Sequence, residues 1–284
     1  MKRKVSKIIR GTPSIDGAGV HLVRVFAKAE TSEFDPFLML DAFDSINPSD
    51  YIKGFPWHPH RGIETVTYLI EGDIEHKDSL GNRGSILSGD CQWMTAGSGI
   101  IHQEMPQASP RMLGAQLWLN IPAKDKMVDP SYGDITSENV PVVEEEGVTI
   151  RVLSGIYKEQ KGAFEGKYVK ATYLDIAINP GSSISLDCDP DHTMFAYLFS
   201  GSVRLDNQDR DYIQEKQAAL FTMGDTLFFE AGGSGARFIL LSAPPLKEPI
   251  AWGGPIVMNT REELAQAFKD LDDGVFIQHE PDLS

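Results

Sequence analysis

Cysteine is nearly missing from this sequence. Cys91 and Cys188 are the only two in 284 residues. That is too few for a disulfide framework, so the chain is not a small stapled secreted scaffold, and a reducing, cytoplasmic setting is expected. No apolar run approaches the roughly 20 residues needed to cross a bilayer, so no membrane role is expected. The basic opening, residues 1–10, has no apolar stretch behind it and reads as a short first strand rather than a secretory leader. Positive charge is also scarce. The 26 Lys and Arg face 41 Asp and Glu, a formal net charge of −15. Phosphate backbones repel such a chain, and no basic stripe with interleaved aromatics offsets this. No direct nucleic-acid binding is therefore expected, and any part in transcription would run through a protein partner.

Helical periodicity is rare as well. Most of the chain is short alternating runs bounded by Gly, Pro, Asn, Asp and Ser, as in His21-Leu22-Val23-Arg24-Val25-Phe26, which predicts strands and turns. Residues 41–55 read as a loop and 122–141 as a linker region. The pattern implies an all-β protein of sandwich or barrel type. One helix is predicted over 260–273, started by Thr260 with Glu263 three positions on and ended at Gly274. Its stripe of Leu264, Phe268 and Leu271 reads as core packing against a barrel. Spacing suggests an internal repeat. His58 to Gly72 and Asp187 to Gly201 are both steps of 14, and Gly89 to His102 and Gly224 to Arg237 are both steps of 13. In that register Asp187, Asp189 and Arg237 replace His58, His60 and His102, and Thr193 replaces Glu64. The resulting division is an N-terminal barrel over 1–125, a linker region over 126–145 and a C-terminal barrel with the helix over 146–284.

The chemistry concentrates in residues 57–104. Side chains two apart on a strand share a face. His58 and His60 therefore project together, and Glu64 keeps their parity, with Val66, Tyr68 and Ile70 on the same face. His102 and Glu104 make a second pair. Two such strands side by side aim three imidazoles and one or two carboxylates at one point, a donor set for a transition metal. Fe, Cu, Ni, Mn and Zn all suit such donors. Phe55, Trp57, Trp93 and Met94 are candidates to line a pocket, with barrel core as the competing role. Arg61 is expected to pair with a carboxylate near the site or cover the barrel rim, and His192 to be a hydrogen-bonded structural residue.

These stretches resemble a known family. FPWHPHRGIETVTYLIEG is similar to the first cupin motif and GDCQWMTAGSGIIH to the second. Together with LGNRG and EPIAWGGPIVMNTREEL they resemble the pirins over most of the chain. The resemblance implies two tandem cupin (jelly-roll β-barrel) domains, with one metal site in the N-terminal barrel. It implies iron, as Fe(II), bound by His58, His60, His102 and Glu104, with Glu104 also the general base. Glu64 would then orient an imidazole or serve as an occasional ligand. The implied activity is a quercetinase-type dioxygenase reaction that opens a flavonol-like aromatic substrate with O2 and releases carbon monoxide. The implied alternative is an iron-containing, redox-sensitive regulatory protein that binds a transcription factor or metabolic enzyme. Because each barrel can cover the other's open face, a monomer suffices.

Overall fold

The computed structural model describes residues 1–205 and 212–278. The chain is all-β, as its alternation and turn residues imply, and among the described residues there is one long helix and none long and apolar enough to cross a membrane. Contacts group the residues into two compact units that interleave along the sequence. The N-terminal barrel takes Thr12–Thr31, Phe37–Ser137 and the described residues from Leu246 on. The C-terminal barrel takes Met1–Gly11, Ser32–Pro36 and the described part of Glu138–Pro245.

The N-terminal barrel has two large sheets and a two-stranded one of Ala251–Gly253 and Ile256–Met258. Seven strands run in the order Ser131–Ile135, Cys91–Thr95, Ile63–Glu71, Met112–Asn120, Phe37–Ser45, Val20–Phe26 and Thr12–Asp16. Four run in the order Phe55–His60, Ile100–Pro106, Asp73–Asp78 and Arg83–Leu87. Phe55–His60 holds Pro56 and Pro59 and lies at the edge of its sheet, the place where residues without an N–H donor are tolerated. The strand Phe37–Ser45 runs into the stretch expected to be loop. Ser131–Ile135 lies inside the expected linker yet pairs with Cys91–Thr95. The interior is layered. Its floor is apolar, built by Val20, Leu22, Phe43, Leu69, Ile74, Ile86 and Met112, while polar side chains fill the levels above.

The C-terminal barrel is built on a nine-stranded sheet, with a separate two-stranded sheet of Ile156–Tyr157 and Gln160–Lys161. Its long strands Thr193–Arg204 and Thr226–Ala243 pair with each other, with register shifts between Leu198 and Ser200 and between Gly201 and Val203 that let them bend. Its interior is apolar through most of its height, including Ile150, Ile176, Ile184, Leu186, Leu227, Phe229 and Phe238.

The helix Arg261–Asp272 starts at Thr260, whose hydroxyl accepts from the Glu263 N–H while the Glu263 carboxylate accepts from the Thr260 N–H. Leu264 and Leu271 pack on Ile256, Met258, Ala267 and Phe276. Phe268, predicted on the same stripe, stays 39% exposed. The helix was expected with the C-terminal barrel; its contacts place it in the N-terminal unit. Arg61 explains this attachment. Its guanidinium donates to Asp270 Oδ2 (2.6 Å), to the Ser98 carbonyl (2.6 Å) and to the Phe276 carbonyl (3.0 Å), and lies 4.2 Å over the Phe276 ring. Arg61 does pair with a carboxylate, but that carboxylate belongs to the helix.

Candidate metal centre

The edge strand Phe55–His60 pairs antiparallel with Ile100–Pro106, and His102 stands directly opposite His58. His60 is two residues from His58 and shares its face. The three rings are brought together with centroids 4.3 to 5.0 Å apart, and a donor atom from each lies within 4.8 Å of the others. Among the described residues this is the one group of three or more His, Cys, Asp or Glu arranged to hold a metal ion.

The nitrogens are prepared for that task. His58 Nδ1 lies 2.8 Å from the Pro56 carbonyl and His60 Nδ1 lies 3.1 Å from the Pro255 carbonyl. A carbonyl only accepts, so each ring is held with its proton on Nδ1 and its Nε2 lone pair free, the state in which imidazole ligates. Both nitrogens of His102 are buried without a partner. Burial, reinforced by the neighbouring His58, pushes the His60 imidazolium down to about 3, and burial also holds His102 well below the usual range. His60 and His102 are neutral donors at physiological pH, and the orphaned buried imidazole of His102 fits a bound cation.

Glu104 shares the histidine face but stands outside the three-His group. Its Oε1 accepts from Thr67 Oγ1 (3.0 Å) and its Oε2 from Gln116 Nε2 (2.8 Å). A carboxylate oxygen keeps a second lone pair after one such bond.

Glu64 does not join the site. Thr67 reaches Glu104 across the interior, so Glu64, three positions earlier on the same strand, points to the opposite face. There it accepts from Thr95 Oγ1 (2.9 Å). The parity argument broke at Gly62, whose φ of +77° turns the chain between the two strands and restarts the alternation. A Cβ there would sit 2.0 Å from the Val257 carbonyl oxygen, so the turn requires glycine. Val66 and Tyr68 accordingly face away from the histidines, and Thr65 and Thr67 face toward them. Trp93, which pairs with Val66, also faces away, and Met94 packs in a core cluster with Ile63 and Ile100. Of the four proposed lining residues, Phe55 and Trp57 do line the cavity over the site.

That cavity has a volume of about 660 Å³ and is walled by His58, His60, Trp118, Trp252, Gln116 and the Arg24–Asp41 ion pair, besides Phe55 and Trp57. Trp118 packs edge-on to His60 with centroids 5.0 Å apart and lies 5.8 Å from Trp252. Sequence reading missed these walls, which come from strands and loops far apart in the chain. It also missed His76 and Asp78. They lie opposite Glu104 and His102 on the next strand, with His76 Nε2 3.2 Å from Asp78 Oδ2. Their His-x-Asp spacing on a predicted strand was the available signal.

In the C-terminal barrel the counted register does not hold. Five residues, 188–192, separate the strands that two residues, 61–62, separate in the first barrel, so equal steps from the glycine land on different places. Asp187 pairs with Thr226 and is exposed. Arg237 pairs with Ala177 and Ser200 and holds Asp175 through two bonds of 3.1 and 2.7 Å. It therefore does not take the place of His102. The inward cross-strand pairs are Leu186 with Leu227 and Ile184 with Phe229.

Comparison with known proteins agrees with this architecture. The pirin family matches residues 19–119 and the pirin C-terminal cupin domain matches residues 173–277. A pirin-like protein of Caulobacter vibrioides is 44% identical, over 96% of this chain and 99% of its own. A protein of Pseudomonas aeruginosa named "Putative quercetin 2,3-dioxygenase" is 43% identical, over 96% of this chain and 98% of its own. The crystal structure of a quercetin 2,3-dioxygenase from Acinetobacter baumannii superposes with a TM-score of 0.87 at 31% identity, covering 97% of this chain and 99% of that one. A bacterial pirin from Escherichia coli, solved in complex with nickel(II), shares the fold at 18% identity and a TM-score of 0.66, over 84% of this chain and 99% of that one.

Proposed function

The chain belongs to the pirin family, a family of two cupin domains, and from that premise we propose that it is a metal-dependent dioxygenase opening flavonols such as quercetin with O2. The observation that carries this reading is the convergence of three imidazoles beside an aromatic-walled cavity. The related protein named for quercetin 2,3-dioxygenase and the superposed enzyme structure support it.

The residues proposed to hold the metal are His58, His60, His102 and Glu104, and the metal proposed is Fe(II), although one structural relative was solved with nickel(II). When bound, such an ion lowers the pKa of a coordinated hydroxyl and offers open positions for dioxygen. The chain's own residues do the rest. Trp118, Trp252 and Phe55 accept the faces and edges of a flat ligand, and a cavity of about 660 Å³ lies within the range small-molecule sites occupy. Arg24 and Gln116 offer polar contacts to its hydroxyl groups. Glu104 takes the proton that the flavonol 3-hydroxyl sheds, its carboxylate positioned by Thr67 and Gln116. Two free cysteines fit a reducing compartment and support a cytoplasmic reading.

The test is dioxygen uptake and carbon monoxide release on adding quercetin to protein of assayed iron content, with His60→Ala as control. Uptake should track iron and vanish in the variant. No uptake from fully metallated protein overturns the reading in favour of a redox-sensitive interaction protein, to be pursued by co-purification in the Fe(II) and Fe(III) states.

A further inference from the structure

The C-terminal barrel has a cavity of its own, about 590 Å³, at the end where residues 155–171 cross the sheet. Three soft donors reach it from one seven-residue stretch, Cys188-x-x-x-His192-x-Met194. Cys188 Sγ lies 3.8 Å from Met194 Sδ. Met194 pairs across the ladder with Ser242, His192 Nδ1 lies 3.3 Å from Ser242 Oγ, and the imidazole and thioether line the same cavity. His192 Nε2 lies 3.4 Å from Asp189 Oδ2. A carboxylate beside the outer nitrogen is the kind of neighbour that commonly supports a metal-bound histidine.

We propose that Cys188, Met194 and His192 form a binding site for Cu(I). Metal–sulfur bonds of about 2.3 Å meeting at tetrahedral or trigonal angles hold two sulfurs about 3.8–4.0 Å apart. Packed sulfurs also touch at that distance. What a packed pair lacks is an imidazole lining the same open cavity. The donor set selects the ion, because thiolate with thioether favours Cu(I) over harder divalent metals. Charge agrees. The Arg3 guanidinium donates to the Asp189 carbonyl (2.6 Å) and the His192 carbonyl (3.0 Å), bracing the turn that carries the donors. Beside that cation a neutral Cu(I)–thiolate unit costs less than a divalent one that keeps a net positive charge. Binding releases the Cys188 thiol proton to solvent, one proton for each ion taken up.

This site is independent of the three-histidine centre and of its proposed activity. The experiment titrates metal-free protein anaerobically with Cu(I) against bicinchoninate, in a His60→Ala background that disables the first centre. One Cu(I) should remain bound, with a thiolate-to-copper absorption band in the ultraviolet. Adding Cys188→Ser should weaken binding about 100-fold and abolish the band, and adding Met194→Leu or Asp189→Asn should weaken it about 10-fold. Both core changes nearly preserve volume, so the fold is kept. Should His60→Ala fold poorly, the same comparison is made as a fall from two bound Cu(I) to one in otherwise native protein. Affinity unchanged within about twofold in Cys188→Ser, or no Cu(I) bound in the parent, overturns the proposal.

Discussion

At the edge strand of the N-terminal barrel, the pair facing inward across the ladder is His58 with His102. At the matching edge of the C-terminal barrel, the inward pairs are Leu186 with Leu227 and Ile184 with Phe229. The backbone arrangement is shared, and the side chains divide the work. In the first barrel an apolar floor supports a polar layer of Thr67, Gln116, Glu104 and His76, and the histidines stand above it. In the second, hydrophobic side chains fill most of the interior. An antiparallel ladder dictates which residues meet, whatever they are, so exchanging a few inward positions turns a packed core into a donor cluster without altering the fold.

The sharpest way to break this contrast is to empty one half of it. His60→Ala removes a donor whose Nδ1 is held by a backbone carbonyl. Bound metal should fall to background by elemental analysis and oxygen uptake should be lost, while the hydrophobic C-terminal core is untouched. Glu104→Gln is gentler. It keeps the volume and a hydrogen-bonding oxygen but removes the charge, and metal affinity should drop about 10- to 100-fold with the fold intact. An unchanged affinity would make Glu104 a structural partner of Thr67 and Gln116 rather than a ligand.

The opposite half is tested by Phe229→Ala. Phe229 is fully buried between Phe221 and Phe238. Its removal should cost about 3–5 kcal/mol in denaturant unfolding and leave metal stoichiometry unchanged. A loss of metal together with stability would show that the two barrels do not keep these roles apart.

How much of this was legible in the sequence follows from how far each signal must travel. His58, His60 and His102 were readable because parity within a strand is local and two strands suffice to join them. Parity failed for Glu64 because one positive-φ glycine at position 62 restarts the alternation. Counting failed for the second barrel because the turn between Asp187 and Gly201 is three residues longer, and because Gly224 follows the strand Gln217–Phe221 whereas Gly89 precedes Cys91–Thr95, so Asp187 and Arg237 landed on places the ladder assigns to others. Trp118, Trp252 and the Arg24–Asp41 pair were out of reach because the cavity wall is assembled by tertiary packing from distant segments. The helix was found by its capping box, but its attachment depended on Arg61 meeting Asp270, 209 positions away.

The misplaced carboxylate provides the finest test of the division. Glu64 is fully buried on the face of the seven-stranded sheet that points away from the histidines, and burial raises its pKa from 4.5 to about 7. Between those values the native state holds a proton that the unfolded chain has released. Stability from this group is therefore complete below about pH 4.5 and is lost as pH rises through 7. A shift of that size corresponds to about 3 kcal/mol. Glu64→Gln removes the titration, so the stability difference between variant and native protein should move in favour of the variant by about that amount from pH 4.5 to pH 8, measured in urea. Metal content should not change in the variant, because the side chain faces away from the imidazoles. Parallel stability curves would mean that Glu64 is ionised throughout and satisfied by Thr95 and Trp93. A loss of metal would mean that the two faces of this sheet are coupled.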